Sequence, residues 1–289
     1  MWSSKKYSDN KSLWFEENGQ LENTACLEGR VQGALKDCGL FLLRSSKKLS
    51  SAETLNFSKK FGIPVNQSPE GAYIFEVKNE GFDPNHPKFR GPSSNMRLTF
   101  HTDRCDIILF HCIQQAVEGG INQFVNCEYV YDVLRNEDPD ALSILKENFA
   151  YKRHNADPAH PFTTYELPVF DFSKDGMATT LMTYLIDKAD RDPDLPNISP
   201  EQRRALDKLQ EICKRPESHL EIKLEPGDFL FLNNIKMLHS RTAFKDSTEA
   251  RLYFRIWLSV SWSQELPASF ENLFGSVEAG SIRGGFRQF

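Results

Sequence analysis

The octapeptide Arg-Leu-Tyr-Phe-Arg-Ile-Trp-Leu at residues 251–258 is the stretch that decides the fold. Its side chains alternate with period two, which is the pattern of a β-strand. One face carries Leu252, Phe254, Ile256 and Leu258, and the other carries Arg251, Tyr253, Arg255 and Trp257. Because two aromatic rings accompany the arginines, we expect both faces to be covered and both guanidinium groups to need anions. The alternative is an outer face with solvated arginines.

Other segments predict further short strands and a few helices around this one. Strand patterns recur at residues 40–44, 107–113, 220–224 and 229–232, and helices are expected at 28–36, 51–60, 139–148 and 200–214. A regular alternation of strands and helices is missing, which favours an α+β fold with a β-barrel or jelly-roll core and helices outside it. We expect a single domain over residues 1–289. Residues 1–12 are polar and expected to be mobile, and the Gly/Pro-rich residues 81–94 are a candidate lid.

Composition excludes several classes of protein. The 289 residues include 35 basic and 40 acidic side chains, a net charge of -5, with no long basic run, so a nucleic-acid partner is not expected. Apolar stretches of the roughly 18 residues that a membrane span needs are also missing. The N-terminus has no signal-peptide core, and the six cysteines form no C-x-x-C motif, so we expect a cytoplasmic protein with reduced thiols. A homo-oligomer is compatible with the sequence.

The sequence lacks the signature motifs of nucleotide-binding loops, serine hydrolases and zinc peptidases. Histidine and carboxylate side chains are therefore the remaining candidates for a catalytic site. Two histidines begin an H-x-[D/E] motif, His101-Thr102-Asp103 and His219-Leu220-Glu221, and residues i and i+2 of a strand share a face. Such a motif arises by chance in a chain of this composition, so its context decides. The motif at 219 alternates with apolar residues and is expected to be solvated strand surface. The motif at 101 leads into the buried strand at 107–113, where a site is expected.

A third histidine, His239, completes the candidate set. It follows the predicted strand 229–232 and the polar dipeptide Asn233-Asn234. This order suggests a strand that delivers a side chain to a cavity mouth. Taken alone, a histidine in this position is more often a hydrogen-bonded structural residue.

The order of these elements resembles a known family. His101-Thr102-Asp103, then Gly119-Gly120, then Asn233-Asn234 leading to His239, and finally the octapeptide at 251–258 are similar to the TauD/TfdA family of Fe(II)- and 2-oxoglutarate-dependent dioxygenases. That family includes taurine dioxygenase and the clavaminate-synthase-like oxygenases. The resemblance spans residues 40–266 and rests on the order and spacing of the four elements.

The resemblance implies a fold, a set of cofactors and a role for each site residue. The fold would be a double-stranded β-helix, or jelly roll, with helical insertions. His101, Asp103 and His239 would hold catalytic Fe(II) and leave positions open for 2-oxoglutarate and O2. Arg251 would bind the remote carboxylate of 2-oxoglutarate, and Arg255 an anionic group of a small-molecule substrate. Asn122 stands near the place where some members have a cosubstrate-binding threonine.

The implied reaction is hydroxylation of a small carboxylate- or amino-acid-like substrate, with desaturation or cyclisation using the same residues. Two other classes stay open at this point. A zinc-dependent hydrolase could use the same two histidines and aspartate, although it has no need of an arginine pair for a dicarboxylate. A non-catalytic jelly-roll binding protein would make the histidine–aspartate cluster an accidental one.

Overall fold

The computed structural model describes residues 7, 9–17, 21, 24–82, 91–153 and 163–286. Within these residues the strands are β1 (Phe15–Glu16), β2 (Leu40–Leu43), β3 (Ile63–Val65), β4 (Ile74–Val77), β5 (Leu98–His101), β6 (Ile107–Gln114), β7 (Glu118–Gly119), β8 (Asn122–Asn126), β9 (Phe149–Lys152), β10 (Thr164–Leu167), β11 (Phe170–Ser173), β12 (Gly176–Thr179), β13 (Leu220–Ile222), β14 (Phe229–Asn233), β15 (Met237–Arg241), β16 (Phe244–Lys245) and β17 (Leu252–Ser259).

The α-helices of the described residues are α1 (Thr24–Asp37), α2 (Ser51–Ser58), α3 (Cys127–Glu137), α4 (Pro139–Leu145), α5 (Thr183–Asp190), α6 (Pro200–Lys214) and α7 (Glu271–Phe274). Short 3-10 turns lie at Lys11–Leu13, Gly91–Ser93 and Ala268–Phe270. Two helices begin at a capping box, in which the Ser50 and Ser199 side chains accept a hydrogen bond from the backbone three residues on. Such caps satisfy amide groups that have no partner within the helix, and so define where it begins.

Two facing sheets form the core. The larger has the strand order β1-β2-β14-β6-β17-β3, with β4 also paired to β17, and the smaller has the order β13-β8-β15-β5. Apolar side chains of both sheets pack together between them, among them Phe110, Phe124 and Leu232. Helices α1 and α2 cover the outer face of the larger sheet, and α3, α4 and α6 cover the smaller one. The fold is therefore α+β with a jelly-roll core, as predicted.

Strand β17 is central in the larger sheet, hydrogen-bonded to β6 on one side and to β3 and β4 on the other. Ile256 and Leu258 pack towards α1 and α2, whereas Tyr253 and Trp257 face the space between the sheets. Arg251 is 1% exposed and Arg255 is 7% exposed. The expectation that both faces are covered is confirmed, and the alternative of solvated arginines is wrong.

Element ends differ modestly from the sequence predictions. The first helix begins at Thr24, earlier than predicted, and α4 ends at Leu145, before the predicted end. Residues 1–6 and 8, and residues 83–90 of the candidate lid, lie outside the described residues. None of the helices in the described ranges is both long and apolar enough for a membrane crossing.

Candidate active site

Three side chains meet between the two sheets at the end of β5 and on β15. His101 and His239 are direct cross-strand partners, so their side chains lie on the same face, and Asp103 follows two residues after His101. One ligand atom of each of the three lies within 4.8 Å of the others, and Nε2 of His239 is 4.0 Å from Oδ2 of Asp103. The structure thus brings together His101, Asp103 and His239, as the sequence analysis predicts.

The charge states of these groups suit a metal. Burial lowers the pKa of His101, and burial together with His101 lowers the pKa of His239 well below its ordinary range, so both imidazoles are neutral. Nδ1 of His101 lies 2.8 Å from the Thr99 carbonyl oxygen, to which it donates as N–H. Its Nε2 lone pair is consequently left for a metal.

Asp103 is held as a carboxylate by its neighbours. Burial on its own would raise the pKa of Asp103, but the charge of Arg255 and the hydrogen bond from Trp257 lower it. Nη1 of Arg255 donates to Oδ2 at 2.9 Å, and the indole nitrogen of Trp257 donates to the same oxygen at 3.1 Å. Two neutral imidazoles and one carboxylate form the donor set of non-haem Fe(II) oxygenases, and these residues fit such an ion.

Asn234 fixes the backbone that carries the carboxylate. Its Oδ1 accepts from the Asp103 amide at 2.7 Å, and its Nδ2 donates to the carbonyl oxygens of Asp103 at 2.7 Å and Cys105 at 2.8 Å. Sequence reasoning noted the Asn233-Asn234 dipeptide without assigning this role. A buried polar dipeptide directly after an apolar strand was the available signal.

The predicted cosubstrate residues lie further along the same interior space. The Arg251 guanidinium carbon is 3.7 Å from the centre of the Tyr253 ring. Asn122 is buried, donates to the Ile222 carbonyl oxygen at 3.4 Å and hydrogen-bonds the Tyr253 side chain. Asn122 is also the cross-strand partner of Arg241, two residues beyond His239. A second buried arginine therefore lies here, and sequence reasoning did not single it out.

Arg255 lies in the middle of β17, beside the histidine–aspartate cluster. Its Nε donates to Oε1 of Gln67 at 2.9 Å, and its Nη1 is engaged by Asp103. The guanidinium also stacks near the rings of Phe75, at 5.0 Å, and Trp257, at 4.8 Å. The predicted substrate residue thus touches a predicted metal ligand, and among the described residues its Nη2 makes no hydrogen bond.

The second H-x-[D/E] motif is no part of this cluster. His219 is 8% exposed, with Nδ1 3.0 Å from the Cys213 carbonyl oxygen and Nε2 3.1 Å from Nε2 of Gln123. The expectation of solvated surface is wrong for His219, because the end of α6 and the neighbouring strand β8 cover it. For Glu221, whose side chain is 51% exposed, the expectation is correct.

Comparisons with known proteins agree with this fold and donor set. The sequence profile of the family described as "Taurine catabolism dioxygenase TauD, TfdA family" matches residues 10–257. FR-33289 synthase of Streptomyces rubellomurinus is 26% identical over 275 residues, covering 90% of this chain and 79% of that protein. Human gamma-butyrobetaine dioxygenase is 27% identical over 171 residues, 53% of this chain and 41% of its own length.

Solved structures show the same fold. A structure of asparagine oxygenase in complex with Fe(II), 2S,3S-3-hydroxyasparagine and succinate superposes with a TM-score of 0.60 and 18% identity, covering 85% of this chain and 83% of the other. The chain belongs to the TauD/TfdA family. It is an Fe(II)- and 2-oxoglutarate-dependent dioxygenase that uses O2, which sets aside the zinc hydrolase and the non-catalytic binding protein.

Proposed function

We propose that this dioxygenase hydroxylates a small anionic substrate of the carboxylate or amino-acid class. The observation that carries the proposal is the burial of two arginines along one segment, with Arg251 directly before β17 and Arg255 within it, where it contacts Asp103. Four residues of strand separate them by about 13 Å. One guanidinium is thus beside the metal ligands and the other remote from them, which suits two different anions.

We assign the chain's own residues as follows. His101, Asp103 and His239 hold Fe(II), and Arg251 with Asn122 binds the remote carboxylate of 2-oxoglutarate. Arg255 keeps Asp103 ionised through Nη1 and offers Nη2 to the substrate anion. When bound, Fe(II) and 2-oxoglutarate activate O2, with one oxygen atom ending in succinate as CO2 is lost and the other in the substrate.

The chemistry of known relatives supports this substrate class. The names of gamma-butyrobetaine dioxygenase and of asparagine oxygenase, solved with hydroxyasparagine, point to small carboxylate-bearing molecules. A planar guanidinium recognises a carboxylate through paired hydrogen bonds. Closure of residues 81–94 over the site, the cytoplasmic location and self-association stay predictions.

An anaerobic titration of the purified protein with Fe(II) and 2-oxoglutarate tests the cofactor assignment. We expect the visible absorption of a ferrous keto-acid chelate, and a protein that binds metal without developing this band would contradict the proposal. A screen of amino acids and small carboxylates, measured by succinate formation and product mass, then identifies the substrate. A gain of one oxygen atom indicates hydroxylation, whereas a loss of two hydrogens indicates desaturation or cyclisation.

Two arginine variants test the two anion sites. At saturating Fe(II), Arg251→Ala is expected to raise mainly the KM for 2-oxoglutarate, and Arg255→Ala mainly that for the substrate. Arg97→Gln is the matched control, since Arg97 is an exposed arginine of the strand-β5 segment that contacts Gln123. Exchanged effects of the two substitutions would mean that the two anion sites are reversed.

A further inference from the structure

The region around Arg251 contains more positive charge than one arginine supplies. Arg241 is 3% exposed and Arg251 is 1% exposed, and both guanidinium groups lie near the Phe244 ring, at 4.7 and 5.2 Å from its centre. Two like charges share one apolar ring inside the protein. Such a pair is costly unless an anion accompanies it.

The hydrogen-bonding capacity of the pair is only partly used. Nη2 of Arg241 donates to the carbonyl oxygens of Ser94, at 2.6 Å, and Met96, at 2.7 Å. Nε and Nη1 of Arg241 and of Arg251 are buried and have no hydrogen-bond partner among the described residues. Four buried N–H-bearing nitrogens therefore lack an acceptor. A ligand that fills this place must be a strong hydrogen-bond acceptor.

The protein itself does not supply enough negative charge. Within the described ranges, no carboxylate lies within 4.0 Å of either guanidinium. Asp246 is close enough to favour the charged form of Arg241, but its Oδ1 accepts from the backbone amide of Arg251 at 2.8 Å. Two buried cations beside one nearby carboxylate leave the region short of one negative charge.

Arg241 lies where one ligand could contact both its guanidinium and a metal held by His239. Residues 239 and 241 alternate to the same face of β15, so Arg241 points into the space that His239 enters. Gly120 leaves room beside Arg251, since a Cβ there would lie 3.3 Å from Nε of Arg251.

We propose that Arg241 is a second guanidinium anchor that binds, together with Arg251, the remote carboxylate of the 2-oxo diacid cosubstrate. This inference rests on the proposed function, because it assumes that the cosubstrate extends from the metal towards Arg251. In this arrangement Arg241 binds the cosubstrate through its free nitrogens, while its Nη2 stays hydrogen-bonded to the backbone at residues 94–96. The bound carboxylate neutralises the excess charge of the pair.

Two keto acids separate this role from a structural one. The full chain, loaded with Fe(II) under anaerobic conditions, is titrated with 2-oxoglutarate and with 2-oxopentanoate, which chelates a metal in the same way but has a methyl group instead of the remote carboxylate. We expect Arg241→Gln to weaken 2-oxoglutarate binding about 10- to 100-fold, as for the loss of a charged hydrogen bond. Binding of 2-oxopentanoate should be unchanged, and Arg97→Gln should alter neither.

Arg241→Lys keeps the charge and is expected to fall between the wild type and Arg241→Gln, which provides the test if the glutamine variant fails to fold. Equal losses for both keto acids, or none for either, would overturn the role of Arg241. A selective rise in the substrate KM would do so as well. If the wild-type protein forms no chelate with either keto acid, the proposed function itself has failed, and that result is distinct from all of these.

Discussion

Nη1 of Arg255 lies 2.9 Å from Oδ2 of Asp103, so an arginine of β17 holds the carboxylate of the predicted metal-ligand cluster. The same oxygen accepts from Trp257, and Gln67 fixes the other side of the guanidinium. These contacts orient Asp103 before any metal arrives. Outer-sphere hydrogen bonds of this kind tune both the geometry and the basicity of a ligand.

Removal of the Arg255 contact is expected to weaken metal binding. Arg255→Gln should reduce Fe(II) affinity about 10- to 100-fold, the range typical of lost outer-sphere partners. Trp257→Phe removes one neutral donor to the same oxygen and should cost only about 2- to 10-fold. Equilibrium binding of Fe(II) without substrate measures both. Unchanged Fe(II) affinity in Arg255→Gln would show that Arg255 acts on the substrate alone.

Loss of a direct ligand should have a larger effect. Asp103→Ala is expected to abolish Fe(II) retention and succinate formation, because two imidazoles alone bind the ion weakly and leave its charge uncompensated. Glu221→Ala, in the other H-x-[D/E] motif, is the matched carboxylate control and should retain iron. Metal content after gel filtration reports both variants. A fully active Asp103→Ala enzyme would remove Asp103 from the site.

A buried histidine away from the site predicts a pH dependence of stability. Nε2 of His111 accepts from the Leu49 amide at 3.0 Å, Nδ1 faces the Asp228 carbonyl oxygen at 3.2 Å, and burial lowers the pKa of His111 from 6.5 to about 4. Between these values the unfolded chain binds a proton that the folded protein does not. The free energy of unfolding should therefore fall as the pH drops from 6.5 to 4, by up to about 3 kcal/mol.

Urea unfolding at several pH values measures this effect. His111→Gln, which cannot titrate, should lose the His111 contribution to the slope within that window while keeping the contributions of the carboxyl groups. Parallel curves for the wild type and the variant would show that His111 is not the titrating group.

A buried ion pair between Arg283 and Asp106 holds the C-terminal segment against the rest of the protein. Nε of Arg283 donates to Oδ1 of Asp106 at 2.7 Å, and Nη2 of Arg283 donates to the Gln264 carbonyl oxygen at 2.8 Å. Arg283→Ala would leave Asp106 buried without its cation and should destabilise the fold by about 3–5 kcal/mol. Adding Asp106→Asn should recover part of this loss, because the uncompensated charge is then removed. Chemical unfolding compares the variants, and a double variant no better than the single one would contradict the explanation.

The Gly119-Gly120 pair predicts two distinct phenotypes. Both glycines have positive φ, +71° and +67°, so alanine at either is strained by about 1–2 kcal/mol. A Cβ at Gly119 would also clash with the Ala243 backbone carbonyl oxygen, so Gly119→Ala should mainly lower the melting temperature. At Gly120 the Cβ would press on two side chains, Gln115 at 3.0 Å and Arg251 at 3.3 Å, so Gly120→Ala should fold but bind 2-oxoglutarate more weakly. The reverse pattern in melting and binding assays would contradict this division.

Local pattern was sufficient for part of the site. Alternation at residues 251–258 predicted which side chains of β17 face inwards, and the i, i+2 spacing of His101 and Asp103 predicted a shared face. The resemblance to the TauD/TfdA family added His239 as a third predicted ligand. The inference from alternation in β17 succeeds because strand periodicity is a property of neighbouring residues and does not depend on the rest of the chain. Asp103 lies two residues beyond the end of β5, and contacts from Asn234 and Arg255 hold it in place.

The tertiary structure alone decided which distant residues meet. Asn234 clamps the backbone of Asp103 from 131 positions away, and Arg255 reaches its carboxylate from 152 positions away. Arg241 joins Arg251 near Phe244, and His219 is buried by Gln123. Periodicity indicates which face a side chain occupies, but its partner depends on the order and register of strands that are far apart in the chain. In this protein those features depend on the pairing of β15 with β5 and β8 and on the packing of the smaller sheet against β17.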